Sequence, residues 1–292
     1  MRTSSAQPLH RLSFLLPPPP PGADPLGELD SALELVALGE ALGYAGAWVP
    51  WRGPDDAVWS AVALLAAATQ HTRRIELGAH GVPVDDIGRH DLPAADLLSR
   101  GRFQLGLDDL HGTPLPPFPG SDTLVGRVWA DAVDADGALR AAAAGRHLFT
   151  GSGVDADADA AAVQAGLVQR FAEAAGRVPT SSPPRIAVGR VVLPLDSADE
   201  ATRDRLRELA SRSDSDSDRR VPDLVGASDE LIELLAGDPA LGAAGELRLE
   251  LPAGVEASVR AQILHDVAEF VAPELGWHAP SRPPADLTAL YI

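Results

Sequence analysis

Residues 96–110, DLLSRGRFQLGLDDL, contain the unit that most restricts the fold of this chain. The apolar end of a helix is followed by Gly101, which stands where a helix C-terminus favours a residue that tolerates positive φ. Phe103 and Leu105 then begin an alternating apolar strand, in which Gly106 leaves room for a group close to the backbone. The same order of helix, glycine and strand recurs along the chain, and this recurrence predicts parallel strands joined by helices.

Eight short apolar segments are candidates for the strands. They are residues 11–16, 44–50, 75–82, 103–107, 123–129, 147–150, 186–194 and 246–251. Helical patterns separate most of them, at residues 26–42, 57–69, 136–145, 157–175, 199–210, 228 onward and 258–271. We therefore predict an α/β fold, a (β/α)₈ TIM barrel that forms a single domain over residues 1–292. An open doubly wound sheet is the alternative, but no G-x-G-x-x-G follows the first strand.

The connection between the fourth and fifth strand candidates departs from this pattern. It contains HGTPLPPFPGSDT, which has four prolines and no helical periodicity. A parallel crossover needs about a dozen residues and is usually a helix. We therefore expect the fourth helix and any insertion beside it to be shortened or missing. Residues 211–220, SRSDSDSDRR, are expected to form a mobile loop, and residues 280–292 a C-terminal tail.

Composition excludes several classes of function. The chain has no cysteine, which removes disulfides, thiolate catalysis and cysteine metal sites. All 24 basic residues are arginines, and the net charge is −18, so a nucleic-acid backbone would be repelled. No apolar run reaches the roughly 18 residues of a membrane-spanning helix. The N-terminus lacks an apolar signal segment, and we expect a cytoplasmic protein without a membrane partner.

The predicted helix at residues 57–69 is apolar on more than one face. A helix on the outside of a barrel normally has one wet face. We therefore expect a partner subunit to cover this helix, in a homodimer or a heterodimer.

Chemistry in a barrel of this kind lies at the carboxyl ends of the strands. His80 and His111 follow the third and fourth strands and are candidate general acid–base groups, although each could be a structural or exposed histidine. Asp108 is a candidate for orienting a histidine, with a solvated loop carboxylate as the alternative. The other strand ends supply Trp51, Asp131 and Glu250.

Thr150, Ser152 and Gly153 form a small hydroxyl-bearing loop before a helix, where backbone N–H groups can bind a phosphate. Three aspartates just downstream would oppose an anion there. Trp129 is a candidate for lining an apolar mouth together with two other tryptophans, whereas core packing is the preferred interpretation for Trp48.

No metal site is predicted. The chain has no H-x-x-x-H or H-E-x-x-H spacing. The acidic run VDADADA at residues 154–160 resembles the start of a calcium loop, but Ala160 and Gly166 stand where the loop needs its glycine and its bidentate acid. We interpret the run as an acidic helix start.

Several segments resemble motifs of the bacterial luciferase-like flavin monooxygenases. LLSRGRFQLGL resembles LLSGGRFxLGxG, ELVALGEALGYAGAWVP resembles AExLGFDxxWVxEH, and IELGAHGV resembles IxLGTGV. Two later segments, ALRAAAAGRHLFTGSG and VGASDELIELL, resemble ALRLAARYADGVFTGG and VGTPEEVAxxL. The resemblance covers residues 33–110 and 124–275.

The resemblance implies a flavin-dependent barrel that uses reduced FMN or a deazaflavin to oxygenate a small organic substrate. The departures from the family pattern fall at the site. Trp51 and Arg52 replace an acid–histidine pair, Asp108 and Asp109 replace a glycine-rich turn, and the region 88–99 is short. Two hypotheses follow: a flavin enzyme with a degraded site, or a non-catalytic partner subunit that binds no cofactor and forms a heterodimer with a homologue.

Overall fold

The computed structural model describes residues 8–20, 22–51, 60–86, 91–108, 122–151, 153, 159–179, 183–214 and 221–280. Within these ranges, eight parallel strands close into a barrel in the order β1-β10-β7-β6-β5-β4-β3-β2, and β8 pairs with β9 outside it. The strands are β1 Arg11–Leu15, β2 Gly46–Pro50, β3 Glu76–Val82, β4 Phe103–Leu107, β5 Val128–Asp131, β6 His147–Thr150, β7 Ile186–Arg190, β8 Val192–Pro194, β9 Leu224–Gly226 and β10 Glu246–Glu250. The predicted TIM barrel is confirmed.

Helices surround this barrel and begin at residues that the sequence marks as caps. Asp24, Ser60, Asp134, Asp159 and Asp238 each accept hydrogen bonds from the first turn of the helix that follows. The helices are α1 Pro25–Leu42, α2 Ala61–His71, α3 Asp91–Ser99, α4 Ala135–Ala143, α5 Ala160–Ala175, α6 Glu200–Asp214, α7 Ser228–Ala236, α8 Pro239–Ala244 and α9 Ala257–Asp266. None of the helices in the described ranges is both long and apolar enough to cross a membrane.

The turn between α3 and β4 has the predicted geometry. Gly101 has a φ of 78°, and Arg100 before it also lies in the left-handed region with a φ of 57°. The space beside Gly106 is filled by the Ala79 carbonyl oxygen and the Trp48 ring, which would lie 3.0 and 3.2 Å from an added Cβ. The close neighbours expected at this glycine are therefore the backbone of β3 and one of the chain's own side chains.

The fifth strand begins later than predicted. Residues Asp122–Arg127 form a 3-10 helix, and β5 covers Val128–Asp131, so the predicted strand at 123–129 was wrong at both ends. The guanidinium of Arg127 explains the later start of the strand, because it forms an ion pair with Asp96 at 2.5 Å and donates to the carbonyl of Phe103 at 2.7 Å. These contacts turn residue 127 away from the strand.

Other boundaries also differ from the prediction. The segment 186–194 is divided between β7 in the barrel and β8 in the small sheet, and α8 was not predicted. Helix α6 extends to Asp214, into the segment predicted as a loop. The last helix, predicted at 258–271, changes from α9 to a π-helical turn at Val267–Val271. Most of the proline-rich connection, residues 109–121, and the tail from 281 lie outside the described residues.

Side-chain alternation along the strands separates two kinds of core. Leu12, Phe14, Val49, Leu77 and Leu105 belong to the large cluster of buried apolar side chains packed with the helices. The residues between them face the barrel interior, where side chains from different strands contact one another, and they are mostly aromatic, polar or glycine. The apolar positions that identify the strands in the sequence therefore face the helices, and the interior is built from the others.

A candidate active site at the carboxyl end of the barrel

The amino end of the barrel interior is closed by four charged side chains. Arg185, just before β7, donates to Glu246 at 2.8 Å and to Glu76 at 3.0 Å. Arg11 reaches the same two carboxylates, Glu76 at 2.8 Å and Glu246 at 3.5 Å. Two cations and two anions therefore form a closed ring, which we call the amino-end ring.

Aromatic side chains fill the middle of the barrel. Trp48 and Trp129 pack edge to face with ring centroids 5.5 Å apart, and Trp129 donates from Nε1 to the Gln104 side chain at 2.9 Å. Gly78 makes room for Trp48, because a Cβ at that position would lie 2.2 Å from its ring. The preferred interpretation of Trp48 as a core residue is confirmed by its burial.

The carboxyl end holds a second set of polar side chains, which we call the mouth cluster: His80, Asp131, Arg248 and Glu250. His80 Nε2 lies 3.6 Å from Asp131 Oδ2, and His80 Nδ1 lies 3.5 Å from an Arg248 guanidinium nitrogen. The His80 ring also packs edge to face on Phe149, with centroids 5.2 Å apart. Three strands, β3, β5 and β10, thus bring a base, an acid and a cation together.

The tautomer of His80 follows from its neighbours. A guanidinium only donates hydrogen bonds, so the nitrogen that faces Arg248 is an acceptor and carries no proton. Burial lowers the pKa of His80 well below its ordinary value, and the Arg248 charge lowers that pKa further. The ring is therefore neutral at physiological pH, with its N–H at Nε2 directed towards Asp131.

The acid and the cation of the cluster are both shifted towards neutrality. Burial raises the pKa of Asp131 to about 7; Arg248 opposes this rise, and Glu250 and Asp108 add to it. Burial lowers the pKa of Arg248 to about 9, although Asp131 and Glu250 oppose that shift, so the guanidinium stays charged at neutral pH. Neighbouring groups whose pKa values are driven in different directions are typical of acid–base sites.

Two of the predicted site residues lie at this end of the barrel. His80 is part of the mouth cluster. Asp108, which follows β4, is exposed, yet it is close enough to raise the pKa of Asp131. The predicted roles of His111 and Ser152 fall outside the described residues.

The predicted cofactor-binding residues are dispersed. Trp129 is 1% exposed, and its ring lies under the Arg185 guanidinium and against His147, towards the amino-end ring. Thr150 is fully buried and faces α5, where Gln164 donates to its carbonyl at 3.0 Å. Gly153 is exposed, with open space around its Cα. These three residues therefore do not meet at one site.

Asp131, Arg248 and Glu250 are the members of the mouth cluster that were not predicted as site residues, although Asp131 and Glu250 had been recognised at strand ends. Arg248 could have been recognised in the segment ELRLEL, where charged residues alternate with leucines. Because the leucines face the helices, Glu246, Arg248 and Glu250 must share the interior face. The inward direction of the Asp131 side chain was harder to predict, since this residue lay beyond the predicted end of its strand.

Metal binding has no candidate in the part of the chain that the structure describes, where no group of three or more histidine or acidic side chains could hold an ion.

Trp51 follows β2, at the position where the resemblance places an acid. Its Nε1 donates a hydrogen bond to Asp86 at 2.9 Å. Its ring packs against the outer core.

Comparison with known proteins agrees with the resemblance in the sequence. Residues 10–108, which contain β1 to β4 and His80, match the family model of the luciferase-like monooxygenases. The resemblance of the chain to this family is therefore confirmed. A search among curated proteins gave no match by sequence.

Solved structures of similar fold extend the comparison to nearly the whole chain. Monooxygenase RslO1 from Streptomyces bottropensis superposes with a TM-score of 0.66 at 18% identity, over 90% of this chain and 99% of that one. The oxygenating constituent of 3,6-diketocamphane monooxygenase from Pseudomonas putida, in complex with FMN, has a TM-score of 0.66 at 13% identity and coverages of 94% and 100%. The coenzyme F420 dependent tetrahydromethanopterin reductase from Methanopyrus kandleri has a TM-score of 0.56 at 14% identity, with coverages of 92% and 100%. The chain thus has the fold of the luciferase-like flavin- and F420-dependent enzymes.

Proposed function

We propose that this chain is a flavin- or deazaflavin-dependent oxidoreductase, most simply a monooxygenase, that acts on a small organic substrate at the carboxyl end of its barrel. The observation that carries the proposal is the mouth cluster. It places a buried cation, a neutral histidine and an acid of raised pKa where barrel enzymes have their active sites. The relatives of this fold that bind FMN or F420 support the choice of cofactor.

The described residues fit one part of such a cofactor. Arg248 is buried, and its Nε has no hydrogen-bond partner among the described residues, so this guanidinium can donate a further hydrogen bond to a ligand. The pyrimidine edge of a reduced flavin is anionic and presents acceptors of this kind. Asp108, Asp131 and Glu250 would instead repel a flavin phosphate, which must be bound by residues outside the mouth cluster.

A bound reduced flavin would supply the electrons for activation of dioxygen or for transfer of a hydride. The chain's own residues would bind and orient. Arg248 provides the positive charge, and His80, fixed as its Nε2–H tautomer, keeps a hydrogen-bond donor at the mouth. Phe149 lies beneath both and supports them as an apolar floor.

The proposal is tested by titrating oxidised and reduced FMN, and separately F420, against the purified chain. We expect micromolar binding of at least one of them, weakened at least about tenfold by Arg248→Met, because loss of the buried charge removes a charge-assisted contact. Arg177→Met, at an exposed position beyond α5, is the matched control and should bind as the wild type does. No binding by the wild type would refute the enzyme proposal.

A second candidate function is that of a non-catalytic partner subunit in a dimer with a luciferase-like homologue. The observation that favours it is a pair of adjacent exposed leucines on α3, Leu97 at 63% and Leu98 at 56% exposure, beside α2. Helix α2, predicted at 57–69, is described from Ala61 to His71 and buries Leu64 and Leu65 on the barrel, while its outer side carries alanines. Val58 and Trp59, which also contributed to the prediction of a covered face, lie outside the described residues.

Sedimentation at several protein concentrations, alone and with a homologous chain, tests this candidate. A complex that is lost in Leu97→Asp but kept in Leu234→Asp, an exposed leucine on α7, would support association through α3. A monomer under every condition would refute it. Flavin binding by the complex but not by the chain alone would favour the partner role over the enzyme.

A further inference from the structure

The mouth cluster contains an acid whose surroundings differ from those of an ordinary ion-paired carboxylate. Asp131 ends β5 and is largely buried, yet its distance to His80 Nε2, 3.6 Å, is longer than a hydrogen bond. The cation of the cluster, Arg248, directs a guanidinium nitrogen at the other side of the His80 ring, 3.5 Å from Nδ1. In the described contacts, Asp131 therefore has a neutral donor beside it and no direct ion pair.

Among the described residues, the titratable and charged groups that face Asp131 come from three strands. His80 on β3 is neutral, Asp108 after β4 and Glu250 on β10 are acidic, and Arg248 on β10 is the cation. Two carboxylates against one guanidinium disfavour a third negative charge in a buried place, which is the condition under which a carboxylic acid keeps its proton. The uncharged Nε2–H of His80 is compatible with either form of the acid.

We propose that Asp131 is the proton donor of this mouth, a carboxylic acid that gives its proton to an oxygen atom of a bound organic ligand, with His80 and Arg248 as its positioning residues. The inference deepens the proposed function and rests on it for the ligand's location. The ligand class is one that presents a carbonyl or phenolic oxygen, on which negative charge is present or develops.

The proton balance is simple. The O–H bond of the Asp131 carboxyl breaks, and an O–H bond forms on the ligand oxygen. The carboxylate left behind faces the Nε2–H of His80, and the positive charge of Arg248 lies on the far side of that ring. Water then returns a proton to Asp131, so no further reactant is needed. Arg248 also fixes the tautomer of His80, because it occupies Nδ1 as a donor.

The first test measures the protonation of Asp131 without any flavin. Carbon NMR of the full chain labelled at aspartate side-chain carboxyls should show a signal that titrates near neutral pH and is absent from Asp131→Asn. The matched control Asp204→Asn, at an exposed position on α6, should leave that signal in place. A signal of Asp131 that titrates in that ordinary range would overturn the inference.

The second test measures donation to a ligand oxygen, with 2,4-dinitrophenolate as the probe. This phenolate stays ionised from about pH 6 to 9, so only the protein changes. If binding requires protonated Asp131, the affinity should fall about tenfold for each pH unit above about 7. In Asp131→Asn, whose amide cannot ionise, the affinity should be independent of pH. Wild-type affinity without this fall, or no binding of the probe, would overturn the role of Asp131 as donor.

The positioning roles have their own readout. His80→Asn should move the NMR titration of Asp131 without abolishing it, because the acid stays buried while its neighbouring donor is displaced. An unchanged titration would show that His80 does not position Asp131. Neither test involves flavin, so a chain that fails to bind FMN or F420 but shows the neutral titration would refute the proposed cofactor and leave the proton donor standing. Flavin binding with an ordinary Asp131 titration would do the reverse.

Discussion

The two ends of the barrel interior both contain charged side chains, but their contacts are short at the amino end and longer at the carboxyl end. At the amino end, two arginines and two glutamates form a ring with contacts of 2.8 to 3.5 Å, and the charges balance. At the carboxyl end, the contacts of His80 with Asp131 and Arg248 are 3.6 and 3.5 Å, and among the described groups that act on Asp131 the acids Asp108 and Glu250 outnumber the cation Arg248. The comparison teaches that the amino end is built to close the barrel, whereas the described contacts around His80 are long enough for a ligand to replace them.

The largest expected effect is at the amino-end ring. Glu246→Gln removes a buried anion that accepts from Arg185 and pairs with Arg11, and leaves two cations facing one glutamate. Breaking a buried ion pair in this way costs about 3–5 kcal/mol. Denaturant unfolding at neutral pH measures it. A loss below about 1 kcal/mol would show that the ring does not stabilise the barrel.

The next effect concerns His147 beside the same ring. Burial lowers its pKa to about 4, and the charge of Arg185 lowers it further. The unfolded chain binds a proton at this histidine below about pH 6.5 and the folded chain does not, so the folded state loses stability as pH falls from 6.5 to 4. His147→Asn, which keeps an acceptor for the Arg185 amide, should remove on the order of 2 kcal/mol of this loss.

Unfolding free energies across that pH range, for wild type and His147→Asn, provide the measurement. Equal slopes in both proteins would contradict the assignment.

The aromatic layer between the two ends gives a smaller effect. In Gly78→Ala the new methyl would lie 2.2 Å from the Trp48 ring, which must move within a closed barrel. Overpacking of this kind costs about 1–3 kcal/mol. Gly126→Ala is the matched control, since nothing lies within 4 Å of its added Cβ and its φ is not positive. Similar stabilities for the two variants would show that Trp48 has room to move.

The smallest expected change is at the mouth. Asp131→Asn makes the same acid-to-amide change as Glu246→Gln, but the pKa of Asp131 is raised to about 7, so its ionised form already destabilises the folded state. The contribution of Asp131 to stability should therefore decrease as pH rises from 4 to 7, so the unfolding free energy of the wild type should fall relative to that of the variant over this range. At pH 8 we expect the unfolding free energy of the variant to lie within about 1 kcal/mol of the wild-type value, or above it. A loss as large as that of Glu246→Gln would remove the contrast between the two ends.

Much of the barrel could be predicted from local signals. The strand at 103–107 and the glycine turn before it follow from an apolar alternation and a single residue with positive φ. The sequence also placed His80 at a strand end. The start of β5 could not be predicted, because the contacts that turn Arg127 away come from Asp96 and Phe103, which are distant in sequence.

What the sequence determined by itself is therefore the number and chain order of the barrel strands, because the period-two pattern of leucines and valines is a local property of each segment. Which face of each strand is the interior was decided only by closure of the barrel, which turned the conspicuous apolar residues towards the helices and the charged ones inward. The meeting of His80, Asp131 and Arg248 depends on the alignment of three strands that are far apart in the chain. No local preference encodes that alignment, since it results from packing the whole barrel at once.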